Sequence, residues 1–314
     1  MLRIGMVVYP GFQTMNLGVV AVLETANFTA PHPLYEIVLL SEAGGLVRSS
    51  AGFSVDTQAF DRSKFDTLLV VGDNEATVAP PSLVAFLQKA AKRCRRIGAT
   101  CTGAFNLAQA GLLDGRKATT HWRFASRLQR EYSKINVEQD RIFIIDGPVW
   151  TSAGMTACID LALALVEKDL GPEVARLVAK KMVVYHRRAG GQSQHSNLLA
   201  MSAKSDRIQN ALTFAQKNLR TKLMVEQLAQ AANLSPRQFS RAFHAETGQT
   251  PARAVENLRV EAARLMLERS RHSLDVIAVE NGFADREQMR GAFVRAFGQP
   301  PQTVRRAARF GAEG

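Results

Sequence analysis

The chain has 314 residues, 46% of them hydrophobic, and a mean hydropathy of −0.09. That suits a soluble protein with two cores, and no apolar run approaches the roughly 18 residues a membrane helix needs. Three cysteines, Cys94, Cys101 and Cys158, are too few and too scattered for a disulfide framework or zinc site, so a reducing cytoplasm is expected, with no metal and no cofactor.

Charge divides the chain. Residues 1–175 hold 17 Lys/Arg and 17 Asp/Glu, so residues 176–314 carry the whole surplus of +12. A neutral front and a basic rear suit a sensor joined to a nucleic-acid binder.

In chain order, 2–9 (LRIGMVVY) is apolar almost throughout, as in a strand buried on both faces of a parallel sheet. It follows the N-terminus directly, so no signal peptide is expected. Pro10-Gly11 turns the chain into a helix over 16–28. Strands are predicted at 35–40 and 66–72, a helix at 81–94 with a basic end, and a short strand at 97–100. A helix follows to Ala110, then a strand at 141–146 and helices at 155–168 and 172–188. Strands alternating with helices predict a doubly wound α/β domain of the flavodoxin-like kind. The small, polar run 189–196 reads as linker. The predicted division is 1–190 for the front domain, 191–205 for the linker, and 206–314 for the rear domain; the resemblances given below imply effector sensing and dimerisation for the first and DNA binding for the last.

Cys101 sits between a predicted strand and helix, with Gly103 just after it. Ligands of doubly wound folds bind at the C-terminal strand ends. A side chain on so sharp a turn is exposed, as at a nucleophile elbow. The helix N-terminus would also favour a thiolate, and His121 could approach as a base. A cysteine-dependent amidase or hydrolase is therefore the alternative reading. Two plainer readings stand beside it: Cys101 as a buried small residue, and His121 as a packed core histidine.

Residues 225–304 carry one pattern twice. Leu228-Ala229, Asn233-Leu234-Ser235, Phe239, Phe243, Gly248 and Pro251 return as Ile277-Ala278, Gly282-Phe283, Asp285, Met289, Phe293, Gly298 and Pro301. The unit is a helix-turn-helix. Ser235 and Asp285 are N-caps, the aromatic positions share one face, and Gly248 and Gly298 end the helices. The other faces carry Arg237, Gln238, Ser240 and Arg241 in the first copy, and Arg286 and Arg290 in the second. Such side chains donate to phosphates and base edges in a major groove. Pro251 to Arg269 reads as one helix between the copies, with Ala254, Leu258, Ala262, Leu265 and Met266 apolar at helical spacing.

Residues Val225–Val304 resemble the DNA-binding domain of AraC/XylS-family transcription regulators. Gly291 departs from members that often carry a larger residue there. Residues 1–190 resemble the PfpI-type, glutamine-amidotransferase-like domain as fused in GlxA-family regulators. Cys101-Thr102-Gly103-Ala104-Phe105, Ala110 to Gly115, Thr120-His121-Trp122, Trp150 to Gly154 and Gly190-Gly191-Gln192 carry that match. Catalytic members place a histidine after the cysteine, or an acid near the first helix entry. Here those positions hold Thr102 and Asn16, and an amide cannot replace a carboxylate in proton transfer.

The resemblance implies a transcription regulator rather than an enzyme. It would bind double-stranded DNA as a homodimer, contact RNA polymerase if an activator, and answer a small effector, by family association a nitrogenous metabolite. Asn16, Gly72, Cys101, Thr102, His121 and Ser152 are the expected effector pocket.

Overall fold

The computed structural model describes residues 1–30, 32–61, 63–184, 188, 190, 194 and 205–309, without the side chains of 268–269 and 306–309. It separates into two compact units, Met1–Gln194 and His195–Gly314. Each has its own cores.

The front unit is built on an eight-stranded mixed sheet. Its strands are β1 (Leu2–Val7), β2 (Tyr35–Ser41), β3 (Ala43–Arg48), β4 (Ser54–Ala59), β5 (Thr67–Val70), β6 (Arg96–Thr100), β9 (Phe143–Asp146) and β10 (Val149–Ser152). The short pair β7 (Lys117–Ala118) and β8 (Asn136–Val137) stands apart. The order is β3-β4-β2-β1-β5-β6-β10-β9, parallel from β4 to β10 and antiparallel at both edges.

Successive strand residues point to opposite faces, and β1 and β5 divide on that rule. Ile4, Met6, Leu69 and Val71 join one core with α1 (Gly18–Thr29), α5 (Ala157–Leu170) and α6 (Pro172–Lys181). Val7, Leu68 and Val70 join the other with α2 (Pro81–Ala91), α3 (Gly103–Gln109) and α4 (Trp122–Glu131). Helices cover both faces, so the central strands read as unbroken apolar runs.

The strands at the β3 end of the sheet differ from that expectation. β3 and β4 are mostly solvent-exposed and lack such a run, and they return the chain antiparallel to each other. The helix predicted to reach 188 stops at Lys181, and residues 185–187 lie outside the described residues. The predicted linker 191–205 also lies outside them except at Gln194 and Ser205. Arg188 and Gln194 are tied to the front unit. Arg188 donates from its backbone N and Nε to the Asp160 carboxylate, at 2.8 and 2.9 Å. The Gln194 amide donates to the carbonyls of Thr120 and Arg141 at 2.8 and 3.1 Å.

The rear unit is helical: α7 (Asp206–Lys217), α8 (Val225–Ala231), α9 (Pro236–Thr247), α10 (Pro251–Arg269), α11 (Leu274–Glu280), α12 (Arg286–Phe297) and α13 (Pro301–Arg309). It has two cores. Ala254, Val255 and Leu258 of α10 pack with α7, α8 and α9. Val260, Ala263 and Leu267 pack with α11, α12 and Val304. At about 100° per residue these sets face roughly opposite sides of α10. The single stripe expected through Ala262, Leu265 and Met266 is replaced, because those three are only half-buried.

Among the described residues no helix is long and apolar enough to cross a membrane.

Candidate functional site

The two copies of the rear motif build matching local structure. Ser235 Oγ accepts from Gln238 N at 3.4 Å, and Gln238 Oε1 accepts from Ser235 N and Oγ at 3.2 and 2.8 Å. This reciprocal box starts α9. Asp285 Oδ1 accepts from Gln288 N at 2.7 Å and starts α12. Gly248 and Gly298 end these helices, both with φ of +69°. Phe239, Phe243, Met289, Phe293 and Phe297 are buried, and the ring pairs lie 5.3 and 5.2 Å apart.

The turns match as well. Asn233 has φ +53° and Gly282 has +76°, so each turn passes one residue through the left-handed region. Asparagine tolerates that conformation. At Gly282 a Cβ would overlap the Leu219 carbonyl oxygen and come within 2.8 Å of Arg259 Nε. Arg259 itself donates to the carbonyls of Leu219 and Thr221 at 3.1 and 2.7 Å. Arg220 pairs with Glu280 beside this junction. The two motifs are thus joined by side contacts as well as by α10.

With the apolar faces buried, the opposite faces stand open. Arg237, Gln238 and Arg241 on α9 are exposed, as are Arg286 and Arg290 on α12, while Ser240 is half-buried. Among the described residues Arg237, Arg241 and Arg286 have no ion-pair partner. Arg290 lies 3.3 Å from Glu287. The Gln238 carbonyl belongs to the cap, which leaves its amide N–H groups for a ligand. Arg295 reaches back to Glu256 of α10 at 2.8 Å, and a Cβ on Gly291 would stand 3.3 Å from that guanidinium.

In the front unit Cys101 follows β6 with φ +55°, the strained turn of a nucleophile elbow. Three glycines make room for it. A Cβ on Gly154 would overlap Cys101 Cβ, one on Gly103 would overlap the Val70 carbonyl, and one on Gly72 would lie 2.5 Å from Thr102 N. Cys101 N donates to Ser152 O at 3.0 Å, and Thr120 Oγ1 donates to Cys101 O at 2.8 Å.

Of the expected pocket residues, Gly72, Cys101, Thr102 and Ser152 meet here, and Asn16 joins through Gly72. Its Nδ2 donates to the Gln13 and Gly72 carbonyls at 3.0 and 3.3 Å, while its Oδ1 is buried without a partner. Thr102 Oγ1 accepts from Asp73 N at 2.7 Å and donates to Asp73 O at 2.8 Å. Ser152 is buried, its Oγ accepting from Gly154 N at 3.4 Å. His121 is half-buried and caps α4, its Nδ1 accepting from Arg123 N at 3.4 Å.

The thiol differs from expectation. Burial pushes it up, the Thr102 amide pulls it partly back, and the Asp73 charge adds to the rise, leaving it at about 11. The seven-residue α3 does not overcome that burial. Cys101 is therefore a neutral thiol near pH 7. Asp73 escaped the sequence reading, although Gly72-Asp73 directly after a strand is a turn signal. Burial alone would raise its carboxyl. The hydrogen bonds from Thr77, Glu75 and Ala76 outweigh that and hold it below the usual carboxylate range.

A cavity of about 230 Å³ opens next to this cluster. It is lined by residues from 8–10, 41–42, 60, 77–80, 83 and 106, and by none of the six expected pocket residues.

Residues 3–168 match the DJ-1/PfpI family and residues 228–307 a helix-turn-helix domain. The chain is 32% identical over 302 residues to the HTH-type transcriptional regulator CdhR of Pseudomonas aeruginosa, covering 94% of this chain and 89% of that one. The chain belongs to this family of AraC-type transcriptional regulators with a DJ-1/PfpI domain. The regulator is also 30% identical over 317 residues to the HTH-type transcriptional regulator GlxA of Rhizobium meliloti, at 97% and 95% coverage. It is similar to the isonitrile hydratase of Pseudomonas putida as well, 31% identical over 184 residues, but only across 56% of this chain and 76% of that enzyme. The regulator's full-length likeness is therefore to DNA-binding proteins, and the enzyme matches the N-terminal domain alone.

Proposed function

We propose that this DNA-binding regulator reads two neighbouring major-groove segments with α9 and α12, and that a small effector held by the front unit biases the reading. The observation that carries this is the pair of matched helices with buried aromatic backs and open arginine fronts. Arg237 and Arg241, four residues apart, share one exposed face and suit phosphate or guanine contacts. Arg286 does the same work on α12. A homodimer would read two such double boxes, and contact with RNA polymerase follows if the protein activates.

The front unit is read as a non-catalytic sensor. An elbow thiol near 11 is a poor nucleophile at neutral pH, and Asn16 stands where a carboxylate would be needed as a base. The likeness to the hydratase supports testing for turnover, but these two features argue against it.

The test is selection from a random DNA pool with purified full-length protein at about 0.15 M salt, where non-specific binding is weak. The expected product is a motif with two boxes about one helical turn, ~34 Å, apart. A pool without a shared motif would overturn two-helix reading. On the selected site, Arg237→Ala or Arg241→Ala at a phosphate contact should lower the salt slope by about 1 each.

A further inference from the structure

We propose that the cavity beside the Cys101 elbow is the regulator's ligand site, and that it takes a largely apolar, uncharged small molecule bearing one carbonyl oxygen. This rests on the reading of the front unit as a sensor.

Size and wall chemistry come first. An apolar cavity of about 150 Å³ can hold benzene, so about 230 Å³ accepts a ring with a short arm. Val8, Ala79, Pro80 and Leu83 give apolar walls, and Phe60, also in the wall, is stacked on Phe86 at 4.1 Å.

One end is polar and incomplete. Asn106 lines the cavity and is 2% exposed, and its Nδ2 has no partner at good hydrogen-bond geometry, with the Tyr9 phenol the acceptor that interacts with it. A buried donor left unpaired costs about 1–3 kcal/mol, a cost that a ligand oxygen at this end would remove. The phenol of Tyr9, which also lines the cavity, stands beside the Asn106 amide. Burial and the nearby Asp73 charge hold that phenol in its protonated form, so it too can donate.

The charges select the kind of oxygen. Asp73 is ionised and acts on Tyr9, and Glu42 lines the cavity. The Asp73 charge behind Tyr9, with the exposed Glu42 at the cavity, disfavours an acid headgroup by like-charge repulsion. An amide, ketone or lactam oxygen meets the donors without that penalty.

The wall is also joined to the elbow. Thr102 is bonded to the Asp73 backbone in both directions. Asp73 Oδ1 accepts from Ala76 N at 2.6 Å, and Oδ2 accepts from Thr77 N at 3.1 Å. Residues 77–80 therefore hang from the elbow, and Thr102 supports the cavity instead of lining it.

The experiment is saturation-transfer NMR on the full-length protein with 2-phenylacetamide and 2-phenylacetate, followed by titration. The amide is expected to bind about tenfold or more tightly than the acid, the worth of one buried hydrogen bond gained against one repulsion. Asn106→Asp, which replaces the donor, and Leu83→Trp, which fills the space, should each weaken the amide about tenfold or more. Equal affinities, a tighter acid, no transfer from either probe, or amide binding that survives both variants would overturn the assignment. The amide–acid comparison uses the unaltered protein and decides alone if the variants do not fold. DNA selection is independent of the cavity. A recovered motif without amide binding sinks this site and leaves DNA reading intact, whereas amide binding without a motif sinks DNA reading alone.

Discussion

Glycines that look alike in the sequence carry unlike burdens. Gly248 and Gly282 both have positive φ, but a Cβ on Gly248 meets nothing within 4 Å, while one on Gly282 overlaps the Leu219 carbonyl. Gly248→Ala should cost about 1 kcal/mol, the ordinary charge for a side chain in the left-handed region. Gly282→Ala adds the overlap, and a loss of about 3 kcal/mol or more is expected. Denaturant melts of the two variants, compared at equal m-value, check the difference. At Cys101 the prediction concerns pH. With the thiol near 11 against an ordinary 9.0, alkylation by iodoacetamide in the folded protein should be slow at pH 7 and climb only well above pH 9. The sign for stability is consistent: between about 9 and 11 the unfolded chain loses this proton first, so the thiol's contribution falls as pH rises. A midpoint at or below 9 would contradict the burial described here.

At the scale of elements, the repeated motif was legible because its punctuation is local. Ser235, Asp285, Gly248 and Gly298 act within one turn of where they stand, and the aromatic spacing is periodic. Replacing Ser235 or Asp285 with alanine should cost about 1 kcal/mol each and loosen DNA binding by shortening the ordered helix start, as paired melts and binding titrations would show. Less was legible in the front unit. β3 and β4 were missed because solvent-exposed strands carry no apolar run, and β10 because four buried residues show no period. Trp122–Glu131 was missed although its pattern is strongly one-sided, with only Ala125 and Leu128 buried. The cavity escaped for a different reason. Tyr9, Glu42, Phe60, Leu83 and Asn106 come from five separate stretches, so no spacing links them. Cys101, Thr102 and Gly72 were legible because strand-to-helix turns announce themselves, and Thr102 is hydrogen-bonded to the Asp73 backbone.

For the whole molecule, the cores divide at the boundary between the units, whereas charge divides earlier, because Arg176, Lys180, Lys181, Arg187 and Arg188 precede that boundary. The front unit has its cores on the two faces of one sheet, and the rear unit has its own two. Among the described residues each of these four clusters draws on one unit, so scanning calorimetry should resolve more than one unfolding transition. A fragment covering 205–314 should retain the folded helices and a salt-dependent affinity for the selected DNA. Loss of helical circular dichroism in that fragment would contradict the independence of its cores.

The long helix α10 also sets a phase. Its first half faces one reading motif and its second half turns nearly to the opposite side, so angular register between the motifs is counted in residues between Leu258 and Val260. One residue inserted there would translate the second motif by about 1.5 Å but swing it by about 100°. Adding or removing a base pair between the DNA boxes moves them by ~3.4 Å and about a tenth of a turn. Neither step cancels the other, so under the two-helix reading proposed above operator spacing cannot drift gradually along with the length of this helix.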